Sequence, residues 1–386
     1  MSHRSTKRQS GFSLLEMVVA TAIGTIVLGA AVQIYIQGVS ATWKVSQRAE
    51  MQQDFRAASN ILTTDLSLAG AGLGQDAAIA LPTTANTPVL GCDQTHTCYI
   101  NGTSVKYPVT GGTPYLYGLL PGYDDGPTIN GLATDTVTVV YTDTSFYLNC
   151  YTATATSSGV ITFGPPSGFT TWAATGCLPS GTSLTAPQAV NDSAVGLTPG
   201  DLVWMNLGGV SVVAEVTGAV SQTGANTYTV PFSNNDVLKM NQTASGYYLN
   251  SATANATGTS PTRILVNTYY LDNTVSPTRL MEQVSGHTPM PIAENVVYLK
   301  FSYNLYNDST SSPAVNCTNP GAAADGCGGA STGLIPSQIT KINILNMAMD
   351  STVKSAQFGL AKGYQTMNLQ TSVCARNLTY SNNYPQ

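Results

Sequence analysis

An α+β fold is predicted, in which a long amino-terminal helix, transmembrane and then amphipathic, packs on a carboxy-terminal domain of mainly antiparallel β-structure. Three observations predict it. An apolar run begins at Phe12 and carries Glu16 as its only acid or base, Tyr35 aside, as far as Thr42. Beyond it Met51, Phe55, Ala58, Leu62 and Leu66 recur at spacings of 4, 3, 4 and 4, one face of a 3.6-residue period. The distal part then alternates with period 2 in several segments and is rich in Thr, Ser, Asn, Gly and Tyr, while charged residues are only 9% of the chain.

The first element is a basic leader, residues 1–11, in which Arg4, Lys7 and Arg8 crowd the start of the apolar run. From Phe12 to Val32 the run is long enough to cross a bilayer, since about 20 apolar residues at ~1.5 Å rise span the hydrocarbon core. The transmembrane segment is assigned to residues 12–35. The excess of Lys and Arg holds the leader in the cytoplasm and sends the rest across. A secretory signal peptide fits less well, because it needs a shorter apolar region followed by small residues at a cleavage site. Here the run continues without a turn signal into Gln33-Ile34-Tyr35-Ile36-Gln37. Gly11 precedes it, where cleavage at the cytoplasmic face removes only the leader.

The junction Lys7-Arg8-Gln9-Ser10-Gly11, followed by Phe12-Ser13-Leu14-Leu15-Glu16-Met17, resembles the class III signal of type IV prepilins and type II secretion pseudopilins. The resemblance implies that a prepilin peptidase cuts between Gly11 and Phe12 and that Phe12 becomes the N-methylated first residue. Glu16 is informative without it. A carboxylate inside a membrane span costs about 2.5–3.5 kcal/mol and is usually paired. No base lies in the same span, so the expected partner is a terminal amine exposed by cleavage on a neighbouring subunit, and Glu16 would set subunit register during assembly. The alternative is an acid that snorkels at the cytoplasmic edge.

Residues 36–74 read as the amphipathic continuation, with Lys44, Arg48, Glu50, Asp54, Arg56 and Asp65 off the apolar face and Gly70, Gly72 and Gly74 as its end. The glycine run lacks the spacing, preceding strand and following helix of a dinucleotide loop. Strands are predicted at residues 134–141, 202–206, 210–216, 262–271, 278–284, 339–347 and 365–375. Val297, Leu299, Phe301, Tyr303 and Leu305 mark the inner face of another, opposite Tyr298, Lys300, Ser302 and Asn304. Residues 75–386 form a β-rich domain beyond the membrane. Ile61 to Gly70 resembles the helix end of PilW-like minor pilins, and Pro291 to Val296 and Leu369 to Asn377 are similar to that family's last strands. The resemblance does not reach about 80–255, which is read as an insertion.

Seven cysteines in a chain delivered to an oxidising compartment point to disulfides. Proximity suggests Cys92 with Cys98, Cys150 with Cys177 and Cys317 with Cys327, leaving Cys374, although spacing alone does not fix connectivity. The chain has no CxxC pair and only His96 lies near a cysteine cluster, so no metal site is expected. Asp124-Asp125-Gly126, and Asp308 with Asp325, offer oxygen ligands for calcium but read first as turn formers. The histidines are His3, His96 and His287, and neither a nucleophile elbow nor a phosphate loop occurs. Glu215 and Glu282 read as strand-surface residues. No catalytic residue, enzymatic activity or cofactor is expected. From residue 75 onward 16 acidic and 9 basic residues give a formal charge of −7, which disfavours nucleic acid.

These expectations converge on a minor pilin incorporated at or near the tip of a type IV pilus, where it primes assembly. Two alternatives stay open: a type II secretion minor pseudopilin, and a tip adhesin binding through the 80–255 insertion, whose tyrosines include Tyr99, Tyr107, Tyr115, Tyr117, Tyr123, Tyr141 and Tyr147. Expected partners are other major and minor pilins, met through the amino-terminal helix, the prepilin peptidase and an inner-membrane assembly platform. The expected location is the inner membrane, crossed once with the amino terminus cytoplasmic and the distal domain periplasmic, and then the pilus and cell surface.

Overall fold

The computed structural model describes residues 11–74, 78–81, 109–110, 113–157, 159–179, 184–207, 210–238, 240–241, 260–307, 312–320, 335–351 and 366–378. They fall into two compact units, Met1–Gln53 and Asp54–Gln386. Helix α1 (Leu14–Leu68) contains no proline, which lets its 55 residues run unbroken. Within the second unit Phe55, Ala58, Leu62 and Leu66 are buried while Asp54 and Arg56 face outward, as the amphipathic period requires.

Three left-handed glycines end the helix: Gly70, Gly72 and Gly74 have φ of 77°, 76° and 78°. Gly72 has a second reason to lack a side chain, since a Cβ there would stand 1.9 Å from Thr142 Oγ1. Main-chain bonds then pin the exit to the sheet. Gly70 N donates to Val140 O, and Thr142 N donates to Ala71 O, each at 2.9 Å.

In chain order the strands are β1 (Ala78–Ala80), β2 (Val109–Thr110), β3 (Thr113–Tyr117), β4 (Leu119–Gly122), β5 (Thr128–Ile129), β6 (Leu132–Ala133) and β7 (Thr136–Thr142). There follow β8 (Thr152–Ser157), β9 (Val160–Gly164), the short helix α2 (Trp172–Thr175), β10 (Leu202–Leu207), β11 (Val210–Glu215), β12 (Ser221–Gly224) and β13 (Thr227–Pro231). The remainder are β14 (Thr262–Asp272), β15 (Arg279–Val284), β16 (Met290–Glu294), β17 (Val296–Asn307), β18 (Ser312–Cys317), β19 (Ile339–Asp350) and β20 (Thr366–Cys374). This α+β layout, a long apolar helix followed by antiparallel sheets, is the predicted fold class, and each predicted strand coincides with a described one.

A seven-stranded sheet organises the distal unit around β14. One edge of β14 is shared: residues Thr262 to Ile264 pair with β10, and Asn267 to Asp272 pair with β15. The other edge pairs with β7 over Ile264 to Tyr269. Strands β11, β16 and β4 extend the sheet from β10, β15 and β7. A four-stranded sheet in the order β18, β17, β19, β20 holds the carboxy-terminal strands, and another in the order β12, β13, β9, β8 is built wholly from residues 152–231. The inner face of the latter gathers Tyr151, Ala153, Ile161, Phe163, Tyr228 and Val230 with Val203, Met205 and Val212 of β10 and β11 into one core. A second core joins Leu73, Leu116, Val140, Leu202, Ile264 and Val266.

Alternation in β17 is broken once. Leu299, Phe301, Tyr303 and Leu305 are buried, but a bulge between Val296 and Tyr298 buries Val296 in place of Val297. Ser302, on the face expected to be solvated, is buried as well, so the middle of this strand is covered on both sides.

Candidate functional site

The amino-terminal segment concentrates the chain's exposed apolar surface. Phe12 is 89% exposed, and Leu14, Leu15, Met17, Ile23, Ile26, Leu28 and Ile34 all project freely from α1. It is long and apolar enough to cross a membrane. The few polar side chains inside it satisfy themselves: Thr21 Oγ1 donates to Met17 O at 3.0 Å and Thr25 Oγ1 to Ala22 O at 2.8 Å. Gly24, Gly29 and Gly38 have open space where a Cβ would stand. Each glycine costs about 1 kcal/mol against alanine in a helix interior. Nothing within the chain requires them.

Ser13 and Glu16 close the helix start reciprocally. Leu15 N donates to Ser13 Oγ at 3.3 Å, and Ser13 N donates to Glu16 Oε2 at 3.2 Å, a capping box that satisfies two helix-start donors. The carboxylate also lies at the positive end of the helix dipole. The Ser-x-x-Glu spacing that encodes this cap is present in the sequence, and reading Glu16 only as a membrane acid misses it. One N–H leaves the charge of the carboxylate uncancelled. Gly11 and Phe12 precede α1 and are exposed, while the rest of the leader lies outside the described residues.

The distal unit disperses the other sequence-derived candidates. Cys150 and Cys177 are joined in a disulfide, Cα atoms 5.2 Å apart, beside the ring cluster of Tyr151, Trp172 and Phe169. Cys317 is also oxidised, whereas Cys92, Cys98 and Cys327 lie outside the described residues; Cys374 is free and exposed on β20. Among the tyrosines Tyr117 is buried and Tyr115, Tyr141 and Tyr147 are half-buried, which makes them packing residues first. Tyr123 is exposed, with the Lys300 ammonium 4.7 Å from its ring centroid, and Tyr99 and Tyr107 lie outside the described residues.

Asp124 and Asp125 do not stand as an open cation loop. Lys300 of β17 forms ion pairs with Asp124 and with Asp135, the latter at 2.6 Å. Asp135 is buried, and its other oxygen accepts Phe301 N at 2.9 Å. Burial raises Asp135 and alone would lower Lys300, whose bonds to the two aspartates outweigh that and raise it. A lysine therefore fills the place a metal cation would take. Asp308 and Asp325 lie outside the described residues. Among the described residues no three His, Cys, Asp or Glu side chains gather as a metal site needs.

Glu215 departs from its reading as a strand-surface residue. It is 2% exposed, and its two oxygens accept Val237 N at 3.1 Å and Leu238 N at 2.8 Å. Burial pushes its pKa up to about 7, partly offset by those two bonds. Glu282 is half-buried and bonded to the Tyr269 phenol, so it too is more than a surface acid. His287 lies 3.0 Å from Asp201, which Thr198 N also reaches at 2.7 Å, and Arg263 connects Asp201 to Asp143. This chain of polar contacts ties loops to β14.

Residues 6–32 match the prokaryotic N-terminal methylation motif. No curated protein and no solved structure matches the chain. The matched motif supports a type IV pilin-like or pseudopilin-like protein, a kind that is processed by prepilin peptidase and contacts other pilins. With the apolar helix it marks a membrane anchor at the amino terminus.

Proposed function

We propose that the chain is a minor pilin, cut between Gly11 and Phe12, N-methylated at Phe12, and built into a type IV pilus at or near its tip, where it primes filament assembly. The observation that carries this reading is the junction itself: a glycine, then a helix with its large apolar side chains exposed and one carboxylate at its start. Before assembly the helix lies in the inner membrane with the leader cytoplasmic and the β domain periplasmic. In the filament the same surface meets other pilins, and a neighbour's terminal amine supplies the charge that Glu16 lacks. Gly24, Gly29 and Gly38 fit this role, because small residues let helices approach closely.

The distal unit supports an end position, since a domain of this size repeated along a shaft would crowd its neighbours. The role is structural rather than enzymatic, needs no cofactor and involves no nucleic acid. A PilW-like subunit is the specific form we favour, on the resemblance of residues 61–70 and of the last strands. Mass spectrometry of sheared pili tests the proposal: the expected amino-terminal peptide begins at methylated Phe12. A start downstream of Val32, or an intact Met1 in assembled fibres, would overturn it.

A further inference from the structure

Asp65, Tyr269 and Glu282 form a line of three acidic groups from the last turns of α1 through β14 to β15. Tyr269 Oη lies 2.7 Å from Asp65 Oδ2 and 2.9 Å from Glu282 Oε1, and the ring is fully buried. A phenol carries one proton, and ionised carboxylates only accept. Both contacts are hydrogen bonds only if the trio holds a second proton. Asn267 Nδ2 also donates to Asp65 Oδ2, which makes that oxygen the acceptor of the trio. The phenol proton then points to Asp65, and Glu282 keeps a proton that it donates to the phenol oxygen.

We propose that Glu282, Tyr269 and Asp65 act as a pH-sensitive clasp, which fastens the end of α1 to the sheet while Glu282 is protonated and slackens when that proton leaves. The groups facing it are Asp65 from α1, Tyr141 from β7 by way of Asn267, Asn267 and Tyr269 from β14, and Met290 opposite Glu282 on β16. Asp143, beyond β7, acts on Tyr141 through charge alone. Among the described residues neither carboxylate of the clasp has an ion-pair partner. A second negative charge would therefore meet Asp65 across one phenol with no cation to screen it.

Burial, and then the Asp65 charge, raise the pKa of Glu282, and the phenol opposes them only when it turns its own proton towards Glu282 instead of Asp65. A group raised on folding stabilises fully below its unfolded value, here 4.5, and that contribution is lost as pH climbs through the folded value.

The test uses the full chain in detergent micelles and compares thermal melting of the parent with Glu282→Gln from about pH 4.5 to about pH 9. A glutamine amide donates to the phenol as the protonated acid does, but never titrates. The two are expected to melt together at the acid end, with the variant's advantage growing as pH rises. A difference that is constant across pH overturns the clasp. In a Tyr269→Phe background burial and the Asp65 charge still act on Glu282, so the pH-dependent difference should persist while both chains melt lower at the acid end, and an unchanged acid-end melting point overturns the clasp. Infrared difference spectra at about pH 5 give a readout independent of melting. A protonated-carboxyl stretch lost in Glu282→Gln is expected, and no such loss refutes the assignment.

Discussion

Glu16 and Glu215 are both acids held without an ion pair among the described residues, yet their environments ask different things of them. Glu16 has one internal N–H donor and an otherwise bare helix surface around it. Glu16→Ala is expected to leave membrane insertion intact and to abolish incorporation into filaments, measured by immunoblotting of membrane and sheared-pilus fractions; normal incorporation would favour an acid that merely snorkels. Glu215 is satisfied within the fold, and its raised pKa has a sign. Stability tied to its proton is complete below 4.5 and falls away as pH rises through about 7. The size is on the order of 3 kcal/mol at 1.36 kcal/mol per unit. Glu215→Gln should flatten the denaturant-melting midpoint between about pH 5 and about pH 8, although it stays below the parent at acid pH because an amide offers one acceptor to two N–H donors. The Ser13–Glu16 cap was legible, because Ser-x-x-Glu before an apolar run is a local signal. The burial of Glu215 was not, because the residues that cover it, Val237, Leu238 and Asn241, are remote from β11 in sequence and show no strand alternation.

At the scale of elements, period and position were readable and neighbours were not. The strands β7, β10, β11, β14, β15, β17, β19 and β20 follow from β-branched and aromatic alternation, which is a property of each segment alone. The β14–β15 hairpin is the exception, read locally as two strands joined by a turn, whereas the pairing of β10 on the same edge of β14 depends on contacts across more than 50 residues, and no local pattern encodes it. The short β8 and β12 escaped notice because Thr, Ala, Ser, Gln and Gly give them little apolar contrast, and β9 and β13 because their alternation runs for only five residues. Their sheet leans on the Cys150–Cys177 bridge, which spans 27 residues. Closing a loop of that length is worth about 3.5 kcal/mol in the chain-entropy account. Replacing both cysteines with serine should lower unfolding free energy by roughly that amount in denaturant titrations. Reductant added to the parent chain should cost at least as much, because it opens the bridge at Cys317 as well.

For the molecule as a whole, the segment from about 80 to 255 is not a detachable appendage. It contributes β4, β7, β10 and β11 to the sheet built on β14, and Val140, Leu202 and Val213 to a shared core. A chain lacking residues 80–255 is therefore expected to be degraded rather than displayed, which pulse-chase and surface immunoblotting would show; accumulation at parental level would mean that the remaining strands close a core alone. An adhesive role has to be tested by substitutions on the outer face of the β8, β9, β12 and β13 sheet, where the framework is left intact. Sequence composition identified this region as β-rich but offered no way to see that the main sheet is threaded through it.

The main-chain joints at the helix exit also have a mechanical meaning. A pull transmitted along α1 reaches the sheet through Gly70–Val140 and Ala71–Thr142, within four residues of Leu68. Because β7 is itself paired on both sides, by β4 and β14, tension entering there spreads over three strands at once instead of peeling one edge.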